Sequence, residues 1–367
     1  MSNIVISGYY GFANAGDEAM LTAMIEALTA VDPEVKVTVI SGNPADTKRR
    51  HGVEAVYRLN YPEIMRVIAK SQLLISGGGS LLQDVTSDRS LYYYLSIMML
   101  AKKLGIPVML YAQGIGPVQG NLAKAATRYI GNTVDLITVR DDESCDELKT
   151  LGVKKPPIYV TADPVLALQP VDREFGRRLL GQYQLGEAKP IIGLSAREWK
   201  DWAHYKNIIA SVLDKIVDEF GAKVVLLPMQ WPEDFRVSQL IKERMHRPAV
   251  LLEEKLTTSE LLSVVGNLDM LIGIRLHALI FAAVMHVPML GISYDPKIDR
   301  FLESISDIRA GALHNITTEE LMGRVRGRWP EISIPNTSRE ERISELRSKA
   351  FRNAELALEL IQNRRRG

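Results

Sequence analysis

Four loops that follow apolar strands in this 367-residue sequence carry residue types suited to chemistry. The most informative reads Asp269-Met270-Leu271-Ile272-Gly273-Ile274-Arg275-Leu276-His277. An Arg and a His, two residues apart, close a strand and open an apolar helix. Burying a guanidinium without purpose is expensive, and the start of a helix favours an anion. Arg275 is therefore a candidate anion ligand; the alternative is an internal ion pair beside a satisfied core histidine. Among six histidines, His277 is the best general acid/base candidate. A second loop, Ser195-Ala196-Arg197-Glu198-Trp199, offers an Arg that can fork onto a carboxylate or phosphate, or pair with a nearby acid. Downstream, Lys297 in Tyr294-Asp295-Pro296-Lys297 either adds a cation or begins a solvated helix.

The other two loops are rich in glycine. In Gly8-Tyr9-Tyr10-Gly11-Phe12-Ala13-Asn14-Ala15-Gly16-Asp17-Glu18, glycines let the backbone approach a ligand, and Asp17 reads as a helix cap. Asn14 and Gly16 are the better ligand-lining candidates. In Ser76-Gly77-Gly78-Gly79-Ser80-Leu81-Leu82-Gln83-Asp84, exposed backbone N–H groups suit an anion or a closely packed ligand, and Asp84 lies within reach of it. Neither this run nor Gly114–Gly120 fits a dinucleotide fingerprint, since Leu82 occupies the third glycine position and Pro117 interrupts the other. No phosphate-binding Gly-Lys-Ser/Thr loop occurs, so NAD and P-loop chemistry are disfavoured. No Asp-x-Asp and no histidine pair at metal-ligand spacing is present, so no metal is called for.

These loops need elements to hold them. Apolar runs at 3–8, 35–41, 72–76, 107–112, 136–140 and 157–160 alternate with amphipathic helical patterns such as 17–30 and 90–104. Strands this apolar, separated by helices, predict parallel sheets covered on both faces. The rhythm breaks over 162–190 and resumes with strands at 191–195, 223–228, 268–274 and 288–293, and helices at 205–220, 234–245 and 276–285. The expected fold is α/β and GT-B-like, with two Rossmann-like doubly wound domains facing across a cleft. Its parts are 1–168 (acceptor side), a linker at 169–189, 190–330 (donor side), and a C-terminal helix with a basic tail at 331–367. In such sheets ligands bind beyond the carboxyl ends of the strands. The last helix, about 338–362, is expected to pack across both domains, its end Arg364-Arg365-Arg366 being solvated or touching an anionic membrane surface.

Composition narrows the class. Lys+Arg number 45 against 44 Asp+Glu, a balance that argues against a nucleic-acid binder. Cys145 is alone and sits among acids, which favour neither a disulfide, a Cys-based zinc site nor a thiolate nucleophile. The N-terminus lacks the basic flank and cleavage site of a signal peptide, and the most membrane-like stretch, 271–294, contains Arg275, His277, His286 and Pro288. A cytoplasmic location is expected, with peripheral contact at the inner face of the membrane as an extension of it.

Together, Gly11–Glu18, Gly77–Asp84, Arg197 and Gly273–His277 resemble the polysaccharide pyruvyltransferases, most of all the bacterial CsaB type that acts in cell-surface anchoring. The resemblance implies a GT-B-like fold and phosphoenolpyruvate as donor, a substrate rather than a cofactor; no cofactor is expected. It implies transfer of the enolpyruvyl group to a sugar as a 4,6-ketal with release of phosphate. The implied acceptor is N-acetylmannosamine of a lipid-linked cell-wall polymer precursor. On this resemblance Arg197, Arg275, Leu276, His277 and Lys297 would hold phosphoenolpyruvate, with His277 as acid, Asp84 as base and Arg275 stabilising the leaving phosphate. Tyr9, Tyr10, Asn14, Gly16, Gly78 and Gly79 would line the acceptor.

Two other classes share parts of this pattern. A GT-B glycosyltransferase or nucleotide-sugar epimerase would use an acid such as Glu253 or Glu254 for a ribose and would turn over a nucleotide sugar. A non-catalytic glycan-binding protein would bind sugar without turnover and leaves the Arg275/His277 pair without a role. Oligomeric state stays open.

Overall fold

A computed structural model describes residues 2–85, 88–186, 190–200, 202–307, 309–334 and 336–366. The chain divides into two compact units. The first comprises Met1–Ala13, Asp17–Leu168 and Leu346–Gly367, and the second Asn14–Gly16 and Gln169–Glu345.

The first unit holds β1 (Asn3–Ser7), β2 (Lys36–Ser41), β3 (Glu54–Tyr57), β4 (Leu73–Ser76), β5 (Val108–Gln113), β6 (Leu136–Val139) and β7 (Ile158–Val160). They form one parallel sheet in the order β3-β2-β1-β4-β5-β6-β7. The second holds β8 (Ile191–Ser195), β9 (Lys223–Leu226), β10 (Ala249–Leu251), β11 (Met270–Gly273), β12 (Met289–Ser293) and β13 (Gly311–Ala312). They too are all parallel, ordered β10-β9-β8-β11-β12-β13. Central strands β4, β5, β6, β8, β11 and β12 are buried along their whole length. Helices therefore cover both faces, as parallel sheets require.

Each sheet reverses its strand order once, between β1 and β4 and between β8 and β11. A crevice opens at the carboxyl end of such a reversal, because the flanking crossovers run to opposite faces. Ser7 lies opposite Ser76 at the first reversal, and Ser195 opposite Gly273 at the second. All four loops singled out above leave the sheets at these points.

Short edge strands β3, β10 and β13 have no counterpart in the apolar runs read from the sequence. At two to four residues each, they offer too little pattern to stand out. Residues 169–189, expected as a linker, instead contain the helix Glu174–Gln182; residues 187–189 lie outside the described residues. That helix docks on the second unit: Gly176 N donates to Ser263 Oγ at 2.9 Å, and Ser263 Oγ donates to Asp172 O at 2.7 Å. The terminal helix Thr337–Arg366 contributes Ala354, Ala357, Leu358 and Ile361 to the first unit's core. Arg364, expected at a solvated end, donates to Gly105 O and to Asp135 at 3.1 and 3.0 Å.

Two glycines in the unexpected helix make a matched test of its docking. A side chain at Gly176 would run into the Ser263 carbonyl, whereas nothing lies within 4 Å of a Cβ at Gly181. Gly176→Val is expected to destabilise by about 2 kcal/mol or more, and Gly181→Ala to be neutral or stabilising by up to ~1 kcal/mol. Urea unfolding midpoints check both.

Candidate functional site

Arg275 lies two residues beyond the end of β11, in extended conformation, and caps the helix Leu276–Val284 without a side-chain cap bond. Its guanidinium is turned inward. Nη2 donates to Asp234 Oδ1 at 2.5 Å and to Gln230 Oε1 at 2.8 Å, and the residue is only 8% exposed. Asp234 has no exposed surface, and its other oxygen accepts the N–H groups of Met229 and Gln230 at 3.2 and 2.9 Å. Burial pushes the Asp234 carboxyl up, while Arg275 and the Met229 N–H pull the other way. The sequence alternative of an internal ion pair is thus realised: Arg275 is no free clamp but half of a buried pair.

The loop that Asp234 holds also receives residues 14–16. Asn14 bridges to Gln230, Ala15 N donates to Met229 O at 2.8 Å, and Gly16 N donates to Asn14 Oδ1 at 3.0 Å. His277, on the first turn of its helix and half-buried, lies against Gly16, where any Cβ would run into the imidazole. Glycine is required at 16 by this close approach. Asn14, Gly16, Arg275, Leu276 and His277 thus share one corner of the second unit.

Arg197 and Lys297 meet around a residue the sequence reading passed over. Arg197 Nη1 donates to Tyr294 Oη at 2.8 Å, with its Cζ 5.0 Å from the ring centre. Lys297 Nζ lies 5.5 Å from the same ring and 3.1 Å from Asp295, and Trp199 tilts against it at 4.6 Å. Behind them Tyr205 donates to Arg197 O at 2.9 Å, and Lys206 pairs with Glu198 at 2.8 Å. Arg197 is near enough to draw the Asp234 carboxyl down. The second unit therefore gathers two arginines, a lysine and a histidine at the β8/β11 reversal and the adjoining β12 loop.

In the first unit the glycine loops serve packing. Side chains at Gly8 or Gly77 would run into the Tyr10 ring. Tyr10 is fully buried, its hydroxyl 3.7 Å from Met24 Sδ, and burial raises its pKa. Expected to line an acceptor, Tyr10 is a core residue. Gly78 and Gly79 are buried as well: a Cβ at Gly78 would meet Met20 and Pro164 at 3.0 and 3.2 Å, and Gly79 has φ +95° with its carbonyl accepting Gly114 N at 2.7 Å. Gln113 donates its amide to the carbonyls of Ser76 and Gly77. Tyr9 stays half-buried and stacks on Phe12 at 4.3 Å.

Asp84 holds the following loop in place. Its carboxylate accepts Gln119 N at 2.9 Å and Gly120 N at 2.8 Å, bonds that hold its pKa below the ordinary carboxylate range. Two further residues escaped the sequence reading. Glu18 accepts Gly11 N and His51 Nε2, both at 2.8 Å, and fixes the first glycine loop. Arg140 closes β6 as Arg275 closes β11, and reaches Asp163 and Ser80 Oγ, each at 3.3 Å. A charged residue ending an apolar strand was the available signal for it. Glu254, considered for a ribose, accepts the Tyr183 hydroxyl at 3.0 Å. Among the described residues, no three His, Cys, Asp or Glu are grouped to hold a metal ion.

The polysaccharide pyruvyl transferase family model matches residues 14–296, more than half of the chain. The chain belongs to that family. In fold it is GT-B-like. It is similar to MnaA of Staphylococcus aureus, solved with UDP (12% identity, 97% of this chain and 94% of that one, TM-score 0.67). It is similar to the UDP-GlcNAc 2-epimerase of Methanocaldococcus jannaschii (11%, 97% and 99%, TM-score 0.69) and to a glycosyltransferase of Rickettsia africae (11%, 99% and 97%, TM-score 0.59). At these identities the likeness is one of fold.

The buried pair gives this family member a stability signature. Asp234→Ala leaves a buried guanidinium uncompensated and is expected to cost about 3–5 kcal/mol. Asp234→Ala combined with Arg275→Met is expected to recover much of that, since an apolar replacement of a whole buried pair is far less costly. Denaturant unfolding of the two variants separates a true pair from two independent residues.

Proposed function

We propose that this protein transfers the enolpyruvyl group of phosphoenolpyruvate to a sugar as a cyclic ketal and releases phosphate, in the manner of the CsaB type. The acceptor in this reading is N-acetylmannosamine of a lipid-linked cell-wall precursor, taken through its 4- and 6-hydroxyls. The polymer so modified would serve surface-layer anchoring. The observation that carries the reading is the gathering of Arg197, Arg275 and His277 at one strand-order reversal, with Lys297 at the adjoining β12 loop, in a chain of this family.

Phosphoenolpyruvate is small and highly anionic, so its site needs clustered donors. Arg197 and Lys297 supply charge, and the first N–H groups of the helix at Leu276 and His277 supply oriented donors. Protonated His277 gives its proton to the methylene carbon of the enol, and the adjacent carbon takes a sugar hydroxyl oxygen. That hydroxyl's proton goes to Asp84. Phosphate then leaves with the electron pair of its C–O bond, and the second hydroxyl closes the ketal and gives its proton to the departed phosphate. One C–H, two C–O and one O–H bond form, and the C=C π bond, one C–O bond and two O–H bonds break. Arg197 and Arg275 stabilise the departing phosphate.

The test is phosphate release from phosphoenolpyruvate with an N-acetylmannosaminyl-N-acetylglucosamine diphospho-lipid acceptor, followed by mass spectrometry. Acceptor-dependent phosphate and a product heavier by one pyruvyl ketal are expected; consumption of a nucleotide sugar instead would replace the donor assignment. His277→Ala is expected to lose transfer by about 10²–10⁴-fold, and activity within several-fold of wild type removes its role as acid.

The pH profile tests Asp84 separately. Its carboxyl is held low chiefly by the Gly120 N–H, so it stays ionised and able to accept a proton until pH falls through that lowered value. The acid limb of kcat is expected below the ordinary carboxyl pKa of about 4 and is expected to vanish in Asp84→Asn. An acid limb unchanged in that variant assigns the base elsewhere.

A further inference from the structure

We propose that the exposed face of the helix Asn121–Gly131 docks this protein on an anionic lipid bilayer. One face of this helix, with Ala123, Thr127 and Ile130, is buried in the core of the first unit. The other presents Leu122 at 72% exposure and Tyr129 at 66%, the two most exposed large apolar side chains among the described residues of that unit, with Ala125 between them. Val85, next to Asp84, is 60% exposed. Lys124 and Arg128 share the exposed side, and the helix contains no acid. Beside it lies a groove of about 380 Å³ whose lining includes Lys124, Arg128, Thr150 and Glu147, two cations to one acid.

Charge and side-chain type together select the occupant. Leu122 and Tyr129 are too few and too separated for a protein–protein core, but single apolar side chains flanked by cations suit the headgroup boundary, where tyrosine is favoured. Lys124 and Arg128 are placed to meet lipid phosphates, which attract basic residues at a membrane surface. Position adds a reason. The helix begins at Gly120, whose N–H is held by Asp84, and Lys124 is near enough to Asp84 to draw its pKa down. Among the described residues no helix is long and apolar enough to cross a membrane, so the contact is interfacial. The purpose of the contact, presenting a lipid-linked acceptor to Asp84, rests on the reaction proposed above; the contact itself does not.

Co-sedimentation with vesicles of phosphatidylglycerol and phosphatidylcholine in equal parts, against phosphatidylcholine alone, tests the proposal. The full chain is expected to bind the anionic vesicles and to release them as salt is raised. Leu122→Ser/Tyr129→Ser and Lys124→Gln/Arg128→Gln are each expected to weaken binding at least ten-fold. A control, Leu59→Ser/Met65→Ser, removes exposed apolar side chains near the opposite edge strand β3 and is expected to change nothing. Absence of binding by wild type, equal binding by the first two variants, or loss of binding in the control alone overturns the proposal. So does a shift of Leu122→Ser/Tyr129→Ser from dimer to monomer without a vesicle effect, which makes the face a self-contact. Phosphate release on a short-chain, water-soluble acceptor is expected to be unchanged in Leu122→Ser/Tyr129→Ser. Vesicle binding without any such turnover in wild type overturns the reaction and leaves the docking face standing.

Discussion

A guanidinium largely withdrawn from water needs a counter-charge held as firmly as itself, and Arg275 finds it in Asp234. The pair does more than neutralise two charges. One carboxylate oxygen takes the guanidinium and the other takes two backbone N–H groups, so the loop 229–230 is fixed by the same side chain that fixes Arg275. That loop in turn receives Asn14 and Ala15, and the segment so placed brings Gly16 against His277. Remove the carboxylate and three segments distant in sequence lose their common anchor. Buried ion pairs are weak sources of net stability; here the pair's consequence is geometric.

The two sheets solve the same problem with different means. At β1/β4 the reversal is filled by a tyrosine, with glycines at 8 and 77 making room for its ring, and the glycine-run carbonyls are taken up by Gln113. At β8/β11 the reversal is lined by charge. Packing fills one reversal and ionic groups line the other, so the clustered cations lie in the second unit. In the first unit, taken by itself, loops are held in shape by carboxylates: Glu18 for Gly11, and Asp84 for Gln119 and Gly120.

Much of the fold was legible because parallel strands covered on both faces are nearly pure apolar runs, and loops at their carboxyl ends carry the polar exceptions. Arg275, His277 and Arg197 stand out on that ground. What could not be read was who meets whom. Asp234 lies 41 residues from Arg275, and Tyr294 lies 97 from Arg197; neither separation leaves a periodic trace. The glycine run was legible as close approach, but sequence gives no means to tell a ligand from a tyrosine ring as the thing approached. The helix Glu174–Gln182 was hidden for a related reason: Gly176 weakens its propensity, and the docking against Ser263 that requires that glycine is a tertiary fact.

The partners also reorder the cations. Arg275 is neutralised by Asp234, and Lys297 lies 3.1 Å from Asp295, so each brings an acid with it. Arg197 donates to a phenol, which carries no charge, and its neighbour Glu198 is taken by Lys206. For an incoming anion, the attraction of a cation counts only to the extent that no nearby acid cancels it. Of these three cations Arg197 is the one whose side-chain hydrogen bond goes to an uncharged group, while Arg275 is fixed in its buried pair with Asp234. The sequence makes Arg275 look like the clamp because it is the costlier residue to bury. The structure makes that cost the reason for its fixed position, with Asp234 holding the guanidinium inward.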